Sequence, residues 1–233
     1  MESIQLSKRL KRVASYIPNN ARLADIGSDH AYLPCSLALK GDLEFAIAGE
    51  VVKGPYDKAL NEVQSRNLEE VIEVRFGDGL EVIESSDHID TITICGMGGA
   101  LIRDILTRGL SLNKLNRTET LILQPNVGEK TLRTFLMSEQ YKIVAEEIIE
   151  ENDKIYEIIV AIPVEEDIVY SDHALTFGPY LSEQSSDTFK KKWEQVLDKL
   201  AYVKNQMNKS QHPDERKLEK INQEIEHIKE TIQ

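Results

Sequence analysis

Five times between Leu23 and Glu139 a short apolar run gives way to a helical stretch. LADI (23–26) is followed by a helical pattern over 31–40, FAIAGE (45–50) by one over 56–67, and IEVRFG (72–77) by a short helical turn. TITICG (91–96) precedes a helix over 98–109, and TLILQ (120–124) one over 128–139. Nearly continuous apolar strands alternating with helices imply a parallel sheet covered on both faces. The alternation then stops. YKIVAEEIIEEN and DKIYEIIVAIP meet at Asn152-Asp153, a pair suited to a hairpin turn. The expected fold is therefore α/β: a Rossmann-like sheet, parallel except for a terminal antiparallel hairpin. That ending is unusual in dinucleotide dehydrogenases and typical of class I methyltransferases. Ahead of the sheet, Leu6, Leu10, Val13, Ala14 and Ile17 mark an amphipathic helix over residues 4–16.

The last sixty or so residues follow a different period. Phe189, Trp193, Val196, Leu200, Val203 and Met207 are spaced by alternating fours and threes, as are Leu218, Ile221, Ile225, Ile228 and Ile232. Pairing Met207 with Leu218, Val203 with Ile221, and so on outward to Trp193 with Ile232 keeps the sum of residue numbers nearly constant. That is the register of an antiparallel helical hairpin turning near residue 212, with Pro213 suited to the first turn of the returning helix. We therefore expect a methyltransferase-like domain over 1–165, and a connector with a two-helix coiled coil over 166–233. Seams that pair within the chain favour a monomer.

A formal charge of −12 argues against nucleic acid as a partner, since phosphate contacts need lysine and arginine. The charge is uneven, however. Residues 139–172 hold 11 acids and 2 bases, whereas residues 184–220 hold 9 bases and 6 acids. Lys8, Arg9, Lys11 and Arg12 add local positive charge near the start. No apolar run approaches the roughly 20 residues of a membrane span. The two cysteines, Cys35 and Cys95, have neither metal-ligand nor redox spacing, which suits reduced thiols in the cytoplasm and predicts no metal.

The chemistry gathers at the strand ends. In LADIGSDHAYLP, Gly27 lets the backbone approach a ligand and aims helix N-terminal amides at it. The second and third glycines of a dinucleotide fingerprint are missing, and Asp25 beside the turn would repel a pyrophosphate. A ligand carrying an ammonium and a sulfonium would be welcome there. Glu50, at the end of the second strand, can accept from ribose hydroxyls. Asp78 in FGDGL can accept from an adenine amino group while Gly77 and Gly79 let the ring lie close. CGMGGA (95–100) and Gln124-Pro125-Asn126 end the fourth and fifth strands. Asp29 is placed to accept an adenine N6 proton, with His30 to orient and Tyr32 to stack, although helix capping, backbone bonding and core packing compete for these three. Arg9 can reach a phosphate or a methionine carboxylate.

LSKRL, ADIGSDHAYLP, AIAGEVVKGP, FGDGL, GMGG and LQPN, followed by FGP and a helical hairpin, resemble the bacterial tRNA (adenine(22)-N1)-methyltransferase family, TrmK. The resemblance implies S-adenosyl-L-methionine as methyl donor, a D-arm adenine of tRNA as acceptor, and a coiled coil that helps hold tRNA. With that donor, the cofactor is expected on Arg9, Asp25, Gly27, Ser28, Glu50, Val51, Asp78, Gly79, Gly96, Met97 and Gly98, and catalysis on Asp29, His30 and Tyr32. The residues alone leave open a methyltransferase of small molecules or proteins, an NAD-dependent oxidoreductase, and a non-catalytic protein that dimerises through its heptads.

Overall fold

The computed structural model describes residues 4–209 and 214–233. Its sheet runs β3-β2-β1-β4-β5-β7-β6. The strands are β1 (Ala21–Ile26), β2 (Leu43–Glu50), β3 (Ile72–Phe76), β4 (Thr91–Gly98), β5 (Thr120–Val127), β6 (Tyr141–Glu151) and β7 (Lys154–Pro163). The first five are parallel, and β7 lies antiparallel to both β5 and β6. Asn152 and Asp153 take left-handed φ values of 51° and 59°, the conformation the tight β6–β7 turn demands. The alternation in the sequence is thus the sheet observed.

Helices α1 (Lys8–Ala14), α2 (Tyr32–Ala38), α3 (Lys53–Ser65), α4 (Gly99–Ser111) and α5 (Glu129–Ser138) connect or flank the strands. The first helix is shorter than the 4–16 expected. Ser7 accepts from the Leu10 N–H at 3.2 Å and so starts the helix late, while Leu6 is buried ahead of it. The third begins earlier than expected, with Pro55 in its first turn, where a missing N–H leaves no bond unmade.

β4 and β5 both run past their expected ends. Their pairing slips at Cys95–Met97, where Gly96 adopts φ 77° and bulges from the ladder. At the start of α4, a Cβ on Gly99 would lie 2.2 Å from the Gly128 carbonyl oxygen, so only glycine allows this approach to the β5–α5 turn.

By its contacts the chain divides between Pro179 and Tyr180, later than the boundary expected after residue 165. The reason is α6 (Asp172–Phe177), whose Leu175 and Thr176 carbonyls lie 3.5 Å from the guanidinium of Arg133 on α5.

In the second unit, α7 (Leu181–Gln184) precedes α8 (Asp187–Asn208), which packs on α9 (Glu215–Ile232). Ile221, Ile225 and Ile228 are buried along α9, as are Phe189 and Trp193 on α8, but Val203 is 39% exposed. The seam is therefore tighter at the Trp193 end than towards the turn. The expected turn at residue 212 and Pro213 lie outside the described residues.

Candidate active site

The glycine turn after β1 holds a buried carboxylate. Asp25 is 4% exposed and accepts from Ser28 Oγ at 2.5 Å and from Thr93 Oγ1 on β4 at 2.6 Å. Burial raises its pKa above the usual carboxylate range, against the pull of the two hydroxyls and of the nearby Arg9 cation. A carboxylate held by two neutral donors keeps lone pairs for a third partner. Gly27 makes room beside it with φ 68°, and its N–H is bonded to the Gly49 carbonyl at 2.9 Å.

Asp29, His30 and Ala31 follow in an uncommon run of left-handed residues, with φ 43°, 69° and 57°. Such backbone costs about 1 kcal/mol or more per residue and persists only where something holds it. Glu50 is the holder: its carboxylate accepts from the Asp29 N–H at 2.6 Å. Glu50 is itself buried, and burial raises its pKa while that N–H works against the rise. The consequence lies in the Asp29 side chain. α2 is capped by the backbone of Ala31 with no side-chain bond, so Asp29 does not serve as its cap. The Asp29 side chain is 85% exposed, with His30 Nδ1 at 3.4 Å, and the rings of His30 and Tyr32 lie 5.3 Å apart.

A cavity of about 340 Å³ opens at the carboxyl ends of β1, β4 and β5. Of the residues singled out in the sequence it brings together Arg9, Asp25, Gly27, Ser28, Asp29, Gly96 and Met97. Asp78 and Gly79 line a separate cavity of about 130 Å³ with Leu101, Asp104, Ile105 and Arg108. There Arg108 pairs with both Asp78 and Glu81, a partner for Asp78 that lies well along the chain and carries no local signal. Glu50, Val51, Gly98, His30 and Tyr32 line neither cavity. Val51 is nonetheless 55% exposed just beyond β2.

The far wall of the larger cavity includes Asn126 and Tyr156. The Gln124-Pro125-Asn126 cluster was visible at a strand end. Tyr156 was not, because it arrives on the antiparallel β7 with no motif around it. Arg9 stands over the Tyr156 ring at 5.6 Å and comes from the opposite end of the domain's sequence. Glu151 brings it there: its carboxylate accepts from the Lys8 N–H at 2.5 Å and the Arg9 N–H at 3.3 Å. Glu147 adds bonds to Arg12 at 2.6 Å and to the Tyr16 hydroxyl at 3.2 Å. Two of the four early cations are thereby occupied with docking α1, since the Lys8 ammonium also donates to the Glu150 carbonyl at 3.0 Å. Among the described residues no cluster of side chains could hold a metal ion, and no helix is long and apolar enough to cross a membrane.

Residues 23–230 match the model of the family described as tRNA (adenine(22)-N(1))-methyltransferase. The tRNA (adenine(22)-N(1))-methyltransferase of Bacillus subtilis (strain 168) is 42% identical over 238 residues, covering 100% of this chain and 99% of that one. A solved structure from Listeria monocytogenes serotype 4b is 42% identical, with a TM-score of 0.94 over 98% of this chain and 100% of that one. The structure of Streptococcus pneumoniae Sp1610 in complex with S-adenosyl-L-methionine is 41% identical, with a TM-score of 0.89 over 98% of this chain and 100% of that one.

Proposed function

Because the chain belongs to the tRNA (adenine(22)-N(1))-methyltransferase family, we propose that it methylates N1 of adenine 22 in tRNA, with S-adenosylmethionine as donor. The observation that carries this reading is Asp25. A buried carboxylate with unused lone pairs beside a glycine turn suits the ammonium and sulfonium of that cofactor, and it would repel the pyrophosphate of a dinucleotide.

Around Asp25 the remaining roles follow from chemistry. Gly27 and Ser28 give close backbone approach. Arg9, a cation in the cavity wall, suits the methionine carboxylate. Glu50 and Val51 stand where the ribose and one face of adenine would lie, and Asp78, Gly79 and the Gly96–Gly98 turn complete the set. Asp78 must then share its carboxylate between Arg108 and the adenine amino group. When bound, S-adenosylmethionine supplies an electrophilic methyl group.

The chain's own task is geometric. Adenine N1 carries an in-plane lone pair, so no residue has to act as a strong base; the walls must align the reactants and exclude water. N1 lies on the pairing edge, so the site must receive an unpaired or extruded base. Asp29, exposed and pinned through its backbone by Glu50, accepts an N6 hydrogen and eases the positive charge that builds on the methylated ring. His30 orients it, and Tyr32, 40% exposed, offers a stacking face. Lys11, the α8 lysines Lys190, Lys199 and Lys204, and Lys209 at the end of that helix suit tRNA phosphates. A tRNA partner suits a cytoplasmic enzyme, and pairing of α8 with α9 inside one chain supports a monomer.

Incubation with labelled methyl donor and unmodified tRNA, followed by mapping of the modified base, tests the reading. Label at N1 of adenine 22 is expected; label elsewhere, or none, contradicts it. Asp29→Asn should lower turnover about tenfold with cofactor affinity unchanged, and full turnover would remove Asp29 from the mechanism.

A further inference from the structure

The end of β5 carries a hydrogen-bond relay with no role so far. Gln124 is fully buried. Its Oε1 accepts from Arg9 Nη1 at 2.5 Å and from the Gly96 N–H at 3.0 Å. Its Nε2 donates to the Pro125 carbonyl at 2.8 Å and to Asn126 Oδ1 at 3.3 Å. Asn126 Nδ2 in turn donates to the Gly96 carbonyl at 2.7 Å.

This relay has one polarity. Arg9 and the Gly96 N–H can only donate, so Gln124 must give them its oxygen. Its amino group then faces Asn126, which must answer with Oδ1. The Asn126 amino group is left to face the Gly96 carbonyl, which can only accept. An amide at the cavity wall is thereby locked against a flip by groups that cannot reverse. Asn126 is exposed into that cavity and keeps one N–H and one oxygen lone pair that meet no partner among the described residues.

A donor and an acceptor side by side on one carboxamide match the Hoogsteen edge of adenine, where N7 accepts and N6 donates. Guanine shows two acceptors on that edge and would set O6 against the Asn126 oxygen. Recognition on this edge also leaves N1 uncovered, as methylation requires. N6 has two hydrogens, so the one beside N7 goes to Asn126 and the one beside N1 remains for Asp29. Resting on the methyltransferase reading above, we propose that Asn126 determines acceptor specificity by reading N6 and N7 of the adenine, and that Gln124 is the positioning residue that fixes its orientation.

The test uses the full-length enzyme and two tRNAs that differ only in adenine or 7-deazaadenine at the acceptor position. Loss of the N7 acceptor should lower kcat/KM of the unaltered enzyme about tenfold. Asn126→Ala should be slower on adenine and should treat the two tRNAs alike, with its affinity for S-adenosylhomocysteine unchanged. Gln124→Glu keeps an oxygen for Arg9 and Gly96 but removes the donor to Asn126, so the preference for adenine over the deaza base should shrink. Equal kcat/KM for both tRNAs with the unaltered enzyme overturns the proposal, even if neither variant folds. An enzyme that methylates neither tRNA overturns the methyltransferase reading as well, which separates the two failures.

Discussion

Asp25 and Arg133 are both buried charges in the sheet domain, but their partners differ. Arg133 on α5 sits between two buried carboxylates, donating to Glu146 at 2.7 Å and to Glu157 at 2.5 Å. Burial alone would pull its pKa down; the two glutamates more than offset that, and the pKa is raised. Arg133 thus has its counter-charges within the chain. Among the described residues, Asp25 has two hydroxyls for direct partners and no cation bonded to it, and a cavity lies in front of it. A buried charge paired with counter-charges inside the chain fastens the fold. One whose compensation is left to a ligand makes a site.

The largest break in that contrast comes from Arg133→Met, which removes the guanidinium held between two buried carboxylates. We expect a loss of about 3–5 kcal/mol in denaturant unfolding, with the folded fraction still binding S-adenosylhomocysteine. Next is Gly178, held at φ 89° against the same cluster; an added Cβ would lie 2.7 Å from Glu146 Oε2 and 2.8 Å from Arg133 Nη2. Gly178→Ala should cost about 1–3 kcal/mol by the same measurement.

Asp25→Asn should act in the opposite direction. Asp25 binds its proton more tightly folded than unfolded, so its contribution to stability is greatest below the ordinary carboxylate range. It falls as pH rises through the interval between the two pKa values. The variant should therefore melt higher than the unaltered protein at neutral pH, and the difference should close as pH drops through the carboxylate range. A lower melting temperature at neutral pH would mean that Asp25 is a structural charge like Arg133. The smallest effect should come from Arg12→Ala, whose ion pair with Glu147 is nearly half exposed and is worth about 0–1 kcal/mol.

The two clusters also show what a sequence reveals. Asp25, Gly27 and Glu50 stood out because each sits at a strand end defined by local periodicity, and those strands are parallel, as the alternation implies. Arg133, Glu146 and Glu157 carry no such signal. They are spread over a helix and two strands, and only the antiparallel packing of β6 and β7 brings the glutamates together. Tyr156 was hidden for the same reason. Arg9 was visible as a cation, but its place in the cavity depends on Glu151, far along the chain. Asp78 was legible as an acid after β3, whereas its partner Arg108 lies on α4. Local pattern gives elements and the residues at their tips; which distant side chains complete a site depends on packing.

The most direct test of Asp25 as a charge reserved for a ligand is a calorimetric titration with S-adenosylmethionine, run on the unaltered protein and on Asp25→Asn. We expect one-to-one binding by the first and about ten- to hundredfold weaker binding by the second, the weight of a charge-assisted hydrogen bond. Absence of binding by the unaltered protein, or equal affinity in both, would contradict the account.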